Sequence, residues 1–108
     1  MANVKFEVTS SHKATVTINN PNPVPVGIYT CTLELVHPTF GVIGGSDFGP
    51  TDVPANGQVS LSATVVMPAT AATYDVKIRI DWAKGVLSFA AGSVDLYELQ
   101  APTATLGW

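Results

Sequence analysis

The chain has 108 residues and a mass of 11.3 kDa, with five Lys and Arg against eight Asp and Glu, for a formal charge of −3. A chain of this size makes one domain, and area scaling gives about 5,700 Å² exposed when folded against about 16,400 Å² unfolded, which allows a core without metal or disulfide support. Charged residues are only 12% and hydrophobic residues 46%, which argues against intrinsic disorder, and five scattered cations at a pI near 5.0 argue against a nucleic-acid surface.

Alternation of apolar and polar residues dominates the chain. Val4, Phe6 and Val8 alternate with Lys5 and Glu7. A turn at Ser10-Ser11-His12 leads to a second run, in which Ala14, Val16 and Ile18 alternate with Thr15 and Thr17 until Asn19-Asn20-Pro21-Asn22-Pro23 ends it. Between Val26 and Val36, the side chains of Tyr29, Cys31, Leu33 and Leu35 share one face, with Thr30, Thr32 and Glu34 opposite. Gly41 to Gly49 is a loose connection or a short edge strand. Pro54-Ala55-Asn56-Gly57 turns into Gln58–Met67, where Val59, Leu61, Ala63, Val65 and Met67 point one way. After Pro68 to Ala72 comes the most regular run: Tyr74, Val76, Ile78, Ile80 and Trp82 face a core, while Asp75, Lys77, Arg79 and Asp81 face water. Ile78 and Trp82 are therefore expected as core anchors. Two shorter runs, Val86 to Ala90 and Val94 to Leu99, flank Ala91-Gly92. No segment combines a helical period with capping residues. Seven to eight short strands with a turn every ten residues or so predict an all-β antiparallel sandwich over residues 1–99, followed by a tail over 100–108.

The order of these parts resembles an immunoglobulin-like β-sandwich of the CARDB kind, an adhesion-related bacterial and archaeal module. The residues that carry the resemblance are Ala14-Thr15-Val16-Thr17-Ile18-Asn19-Asn20, Val53-Pro54-Ala55-Asn56-Gly57-Gln58-Val59 and Tyr74-Asp75-Val76-Lys77-Ile78-Arg79-Ile80-Asp81. The resemblance covers about Phe6 to Leu99, and the last hairpin departs from the family's Asn- and Glu-rich pattern. Asn20-Pro21-Asn22-Pro23-Val24-Pro25-Val26 is similar to the turn of late-embryogenesis water-stress domains. Both resemblances imply a seven-stranded sandwich, and neither implies an enzyme.

The chemistry-bearing residues are few. Cys31 is the single cysteine, which rules out an intramolecular disulfide framework and a multi-thiolate zinc site. Its phase in the strand makes it a small core hydrophobe rather than a nucleophile. The only histidines are His12, in a turn, and His37, before Pro38; no acid–base pair stands out, so no catalytic residue, metal ligand or cofactor site is assigned. Asp47 and Asp52 flank a glycine-rich turn, but two carboxylates fall short of the six to eight oxygens that calcium takes. The N-terminus, Met1-Ala2-Asn3-Val4-Lys5, has no apolar core of a signal peptide. Two uncharged stretches, Ala14 to Leu33 and Val53 to Tyr74, are long enough to span a bilayer but are broken by Asn, Pro and Gly, so no membrane insertion is expected. The chain thus reads as made in the cytosol.

Val, Thr and Ala make up more than a third of the chain, and a surface so poor in charge matches the composition of interface cores. Four aromatic or aliphatic residues fit no strand alternation: Phe40 and Phe48 in the glycine-rich segment, and Leu106 and Trp108 in the uncharged tail. They are the candidate partner-binding residues; the alternative, preferred for Phe40 and Phe48, is that the aromatics fold back and close the open ends of the sandwich. The expectation is a non-enzymatic structural subunit that self-associates or joins a larger protein shell, with a virion decoration or tail protein as the first reading. The alternatives are a CARDB-like adhesion or ligand-binding module and a water-stress protective protein.

Overall fold

A computed structural model describes residues 4–108; Met1, Ala2 and Asn3, which enter the expectation of no signal peptide, lie outside the described residues. Eight strands follow one another: β1 (Val4–Glu7), β2 (Ser11–Asn19), β3 (Val26–His37), β4 (Gly41–Asp47), β5 (Thr51–Val53), β6 (Gln58–Val66), β7 (Ala72–Trp82) and β8 (Gly85–Tyr97). The described residues contain no helix, and so none long and apolar enough to cross a membrane.

The strands form two sheets. The larger runs β1-β8-β7-β3-β4, with β5 also on β3, and the smaller is the pair β2-β6. β4 and β5 share the same edge of β3: β5 pairs with Val26–Ile28 and β4 with Thr32–His37. The larger sheet is mixed rather than purely antiparallel, because β1 runs parallel to the end of β8, from Val4↔Val94 to Glu7↔Tyr97. After four residues the chain leaves that sheet and starts β2 in the other, so β1 covers only the last third of β8.

Side chains from both sheets meet in two adjoining clusters. One joins Val16 and Ile18 of β2 to Ile28 and Cys31 of β3, Val53 of β5 and Ile80 of β7. The other joins Val65 and Met67 to Leu35, Tyr74, Val94 and Leu96. Tyr74 is fully buried, and its hydroxyl donates to the Thr70 carbonyl at 2.8 Å. That bond ties the start of β7 to the turn before it and satisfies a polar group that burial would otherwise strand.

Two bulges alter the faces expected from strict alternation. In β3 the register slips between Ile28 and Thr30. Ile28 and Cys31 both point inward, and Tyr29 turns out to solvent, 60% exposed, instead of joining the core. In β8 the register against β7 slips between Val76 and Lys77, leaving Ala91 as the extra residue before Gly92 at φ 119°. The two short runs flanking Ala91-Gly92 are thus one bent strand of 13 residues, as a bulge produces. The glycine-rich segment is an edge strand, and Gly45 (φ +145°) passes so close to the Leu33 carbonyl that any Cβ would collide with it. His12 lies in β2, opposite Val65, rather than in the turn.

The side chain of Asn20, a polar residue buried in the structure, joins the turn after β2 to the turn before β6. Its amide nitrogen lies 2.9 Å from the Val24 carbonyl, 3.2 Å from that of Val53 and 3.1 Å from that of Pro54. Its carbonyl oxygen accepts from the backbone N–H and side-chain amide of Asn22. Replacement by Ala removes these bonds, and Asn20→Ala is expected to lower stability by about 1–3 kcal/mol. Asn20→Asp sets a carboxylate against three carbonyl oxygens and is expected to cost more at neutral pH. The gap between the variants should narrow as acid protonates the new carboxyl, which urea midpoints at pH 7 and pH 4 will test.

Candidate functional site

The two sheets cover each other unevenly. On one side β4 lies against β6, and the Ser46 hydroxyl reaches the Thr64 carbonyl at 3.3 Å. On the other side closure depends on height. At the β1 end, Phe6 of β1 stacks on His12 of β2 with centroids 3.6 Å apart. Toward the β7–β8 turn nothing bridges β2 to β8 among the described residues. There an open cleft of about 540 Å³ lies between Val16 and Ile18 of β2 and Ile80, Trp82, Leu87 and Phe89 of the hairpin. None of its lining residues is charged.

Ile78 and Trp82, expected as core anchors, do pack against the core cluster on the inward face of β7, but both are only half-buried and also line the cleft, because two strands of the smaller sheet cannot reach over the hairpin. Leu87 and Phe89 are 42% and 47% exposed. Sequence reasoning did not single them out; the signal was present in Val86-Leu87-Ser88-Phe89, an apolar alternation in phase with Ile78 and Ile80 across a short hairpin.

The four candidate partner-binding residues separate. Phe48 is buried in the core beside Cys31, its N–H bonded to the Cys31 carbonyl at 2.7 Å, so it closes the domain rather than facing a partner. Phe40 is 71% exposed and stacks on His37, centroids 4.6 Å apart. Leu106 is 76% exposed and Trp108 fully so, in a tail without regular structure whose residues are all exposed.

The titratable residues serve local structure. The His37 ring nitrogen Nδ1 accepts from the N–H groups of Thr39 and Phe40. The Ser10 hydroxyl lies 2.8 Å from His12 Nε2 and 2.6 Å from the Glu7 carbonyl. A carbonyl can only accept, so the hydroxyl proton is committed to Glu7, and the pair clasps the β1–β2 turn. Asp47 accepts from the Gly49 N–H at 2.8 Å, whereas Asp52 lies on β5 opposite Gly27. Among the described residues no three His, Cys, Asp or Glu are placed to hold a metal ion.

No protein-family model matches this sequence, and no curated protein matches it. In fold the chain is similar to part of a family 123 glycoside hydrolase from Clostridium perfringens, with a TM-score of 0.63 at 13% identity. The match covers 94% of this chain and 23% of that one, so this chain spans about a quarter of its neighbour's length.

Cys31 is fully buried, and burial pushes its thiol up, with the Asp47 carboxylate adding to the shift. Burial also pushes the Tyr74 phenol up. Both groups fold in their neutral forms. Their contribution is complete below their ordinary ranges, about 8.5 for Cys and 10 for Tyr, and is lost as pH rises through the folded values. Urea midpoints are thus expected to hold steady to about pH 8 and fall above it, with Cys31→Ala removing the earlier part of the fall and sparing the part due to Tyr74.

Proposed function

We propose that this chain is a non-enzymatic, immunoglobulin-like β-sandwich that serves as a structural subunit of a larger protein assembly, with a virion shell or tail as the setting that best fits its composition. Several features support the immunoglobulin-like reading. β1 pairs in parallel with the last strand, the β8-β7-β3 sheet faces the β2-β6 pair, and Tyr74 makes the backbone-directed hydroxyl bond of a tyrosine corner. The fold alone does not determine a function.

The observation that carries the assembly reading is the tail. Its last nine residues, Gln100 to Trp108, bear no charge and leave Leu106 and Trp108 in water. Burying such side chains is worth about 1.5–3 kcal/mol each, so solvent is a costly resting place for them. Large exposed aromatics of this kind anchor protein interfaces. The low charge and the disulfide-free core fit a shell in which neighbouring subunits cover much of the surface.

A second reading, a CARDB-like adhesion or ligand-binding module within a larger protein, has its own support. The fold match covers a quarter of a longer chain, and the cleft volume lies within the range of small-molecule sites. Size measurement separates the two. The full chain is expected to run well above 11.3 kDa at high concentration. Deletion of Ala101–Trp108 should leave the unfolding free energy within about 0.5 kcal/mol of the parent and yield monomers. A monomeric full chain would favour the module reading.

A further inference from the structure

The open cleft and the free tail match each other in three independent ways, and this match, which rests on the assembly reading, names the partner. The first is backbone. β2 pairs only with β6, and β8 pairs with β1 only from Val94 onward. Two unpaired strand edges therefore flank the cleft among the described residues, and an unpaired edge is a template for an added strand.

The second is side-chain pattern. In an extended tail Ala104, Leu106 and Trp108 point one way and Thr103, Thr105 and Gly107 the other. The apolar set suits the uncharged cleft. The threonines suit the outer face of β2, where Thr15 meets Ser62 and Thr17 meets Ser60, each at 3.0 Å between hydroxyl oxygens. An added strand would extend that hydroxyl ladder by one row. Pro102 lacks an N–H, so pairing starts after it, and Thr103–Trp108 has the six residues of an ordinary strand.

The third is direction. β8 runs from the cleft end of the molecule to the β1 end, and β2 runs the opposite way. The tail leaves at Tyr97, the pole opposite the cleft. A strand of thirteen residues is about 43 Å long, whereas the molecule extends 76 × 25 × 21 Å, because the tail runs on past Tyr97. To reach its own cleft the tail would have to reverse over β1. Continuing on, it reaches the cleft of a copy stacked below, antiparallel to that copy's β2.

We propose that Thr103–Trp108 of one copy inserts as an added strand along β2 of the next, with Leu106 and Trp108 seated against Trp82, Leu87 and Phe89. The interface is heterologous, so copies join head to tail and close into a ring or continue as a filament.

A complementation experiment tests this with full-length protein. Leu106→Asp/Trp108→Asp disables the tail and keeps the cleft. Leu87→Glu disables the cleft and keeps the tail, with the milder Leu87→Ser as a second version; both change an exposed residue, and urea midpoints confirm folding. Each variant alone is expected to lose self-association by about 30-fold or more. An equimolar mixture should form 1:1 dimers, one intact tail in one intact cleft, with amides of β2 and of Thr103–Trp108 protected from hydrogen exchange. If the cleft variants assemble like the parent while the tail variant does not, the tail docks elsewhere: the insertion is overturned and the assembly reading stands. If the full chain is monomeric with its tail amides protected, the tail fills its own cleft; if it is monomeric with them unprotected, the tail docks nowhere. Either result overturns both.

Discussion

Two strands of nine residues cannot cover a sheet whose last hairpin is built from strands of 11 and 13. Most of the surface character of this protein follows from that mismatch. Where β1 is present the two sheets are joined and the core is closed, with Tyr74 and Val65 almost wholly out of water. Beyond the reach of β1, Ile80 of β7 is still buried, but Leu87 and Phe89 of β8 face an open cleft. The folded chain exposes 6983 Å², well above the roughly 5,700 Å² of a compact protein of its mass. Its radius of gyration is 18.0 Å against about 13 Å for a compact chain of this length. Leu87 and Phe89 of the hairpin and Leu99, Leu106 and Trp108 of the tail are among its exposed large hydrophobics.

Sequence pattern conveyed the all-β class and most inward-facing residues, because alternation directly reports which side of a strand is buried. It failed where a single extra residue resets the alternation. Tyr29 is in phase with Cys31 and Leu33 in the sequence, yet the bulge after Ile28 sends it outward. Ala91 splits what reads as two strands and is one. A bulge depends on how the partner strand is paired, so it leaves only a weak local mark, here the glycine beside Ala91. The cleft was harder still. Leu87 and Phe89 look like core residues, and they are exposed only because no strand of the second sheet lies over them, which is a property of the whole topology.

The candidate site residues divide along the same line. Phe40 and Phe48 share a glycine-rich segment and similar chemistry, but Phe48 follows the end of β4 and drops back under β3, while Phe40 sits in the turn, stacked on His37 and 71% exposed. Nothing in the local sequence distinguishes these outcomes. The tail was legible only as a segment outside the sheets: Pro102 cannot donate to a ladder, and the residues after Tyr97 have no regular structure and are exposed.

The polar contacts reinforce this division between a fixed end and an available end. Asn20 fixes the turns at the cleft end through five hydrogen-bonding groups, three of them backbone carbonyls. The rim of the cleft is thereby held in place although its apolar wall is uncovered. A rigid rim lowers the ordering cost of docking, since only the incoming segment has to give up conformational freedom. That segment contains Pro102, which already restricts the tail, and only one residue in Thr103–Trp108, Gly107, lacks a side chain. In the proposed insertion, a preformed acceptor and a short, partly restricted donor would keep the entropy cost low enough for a few buried side chains, chiefly Leu106 and Trp108, to drive association.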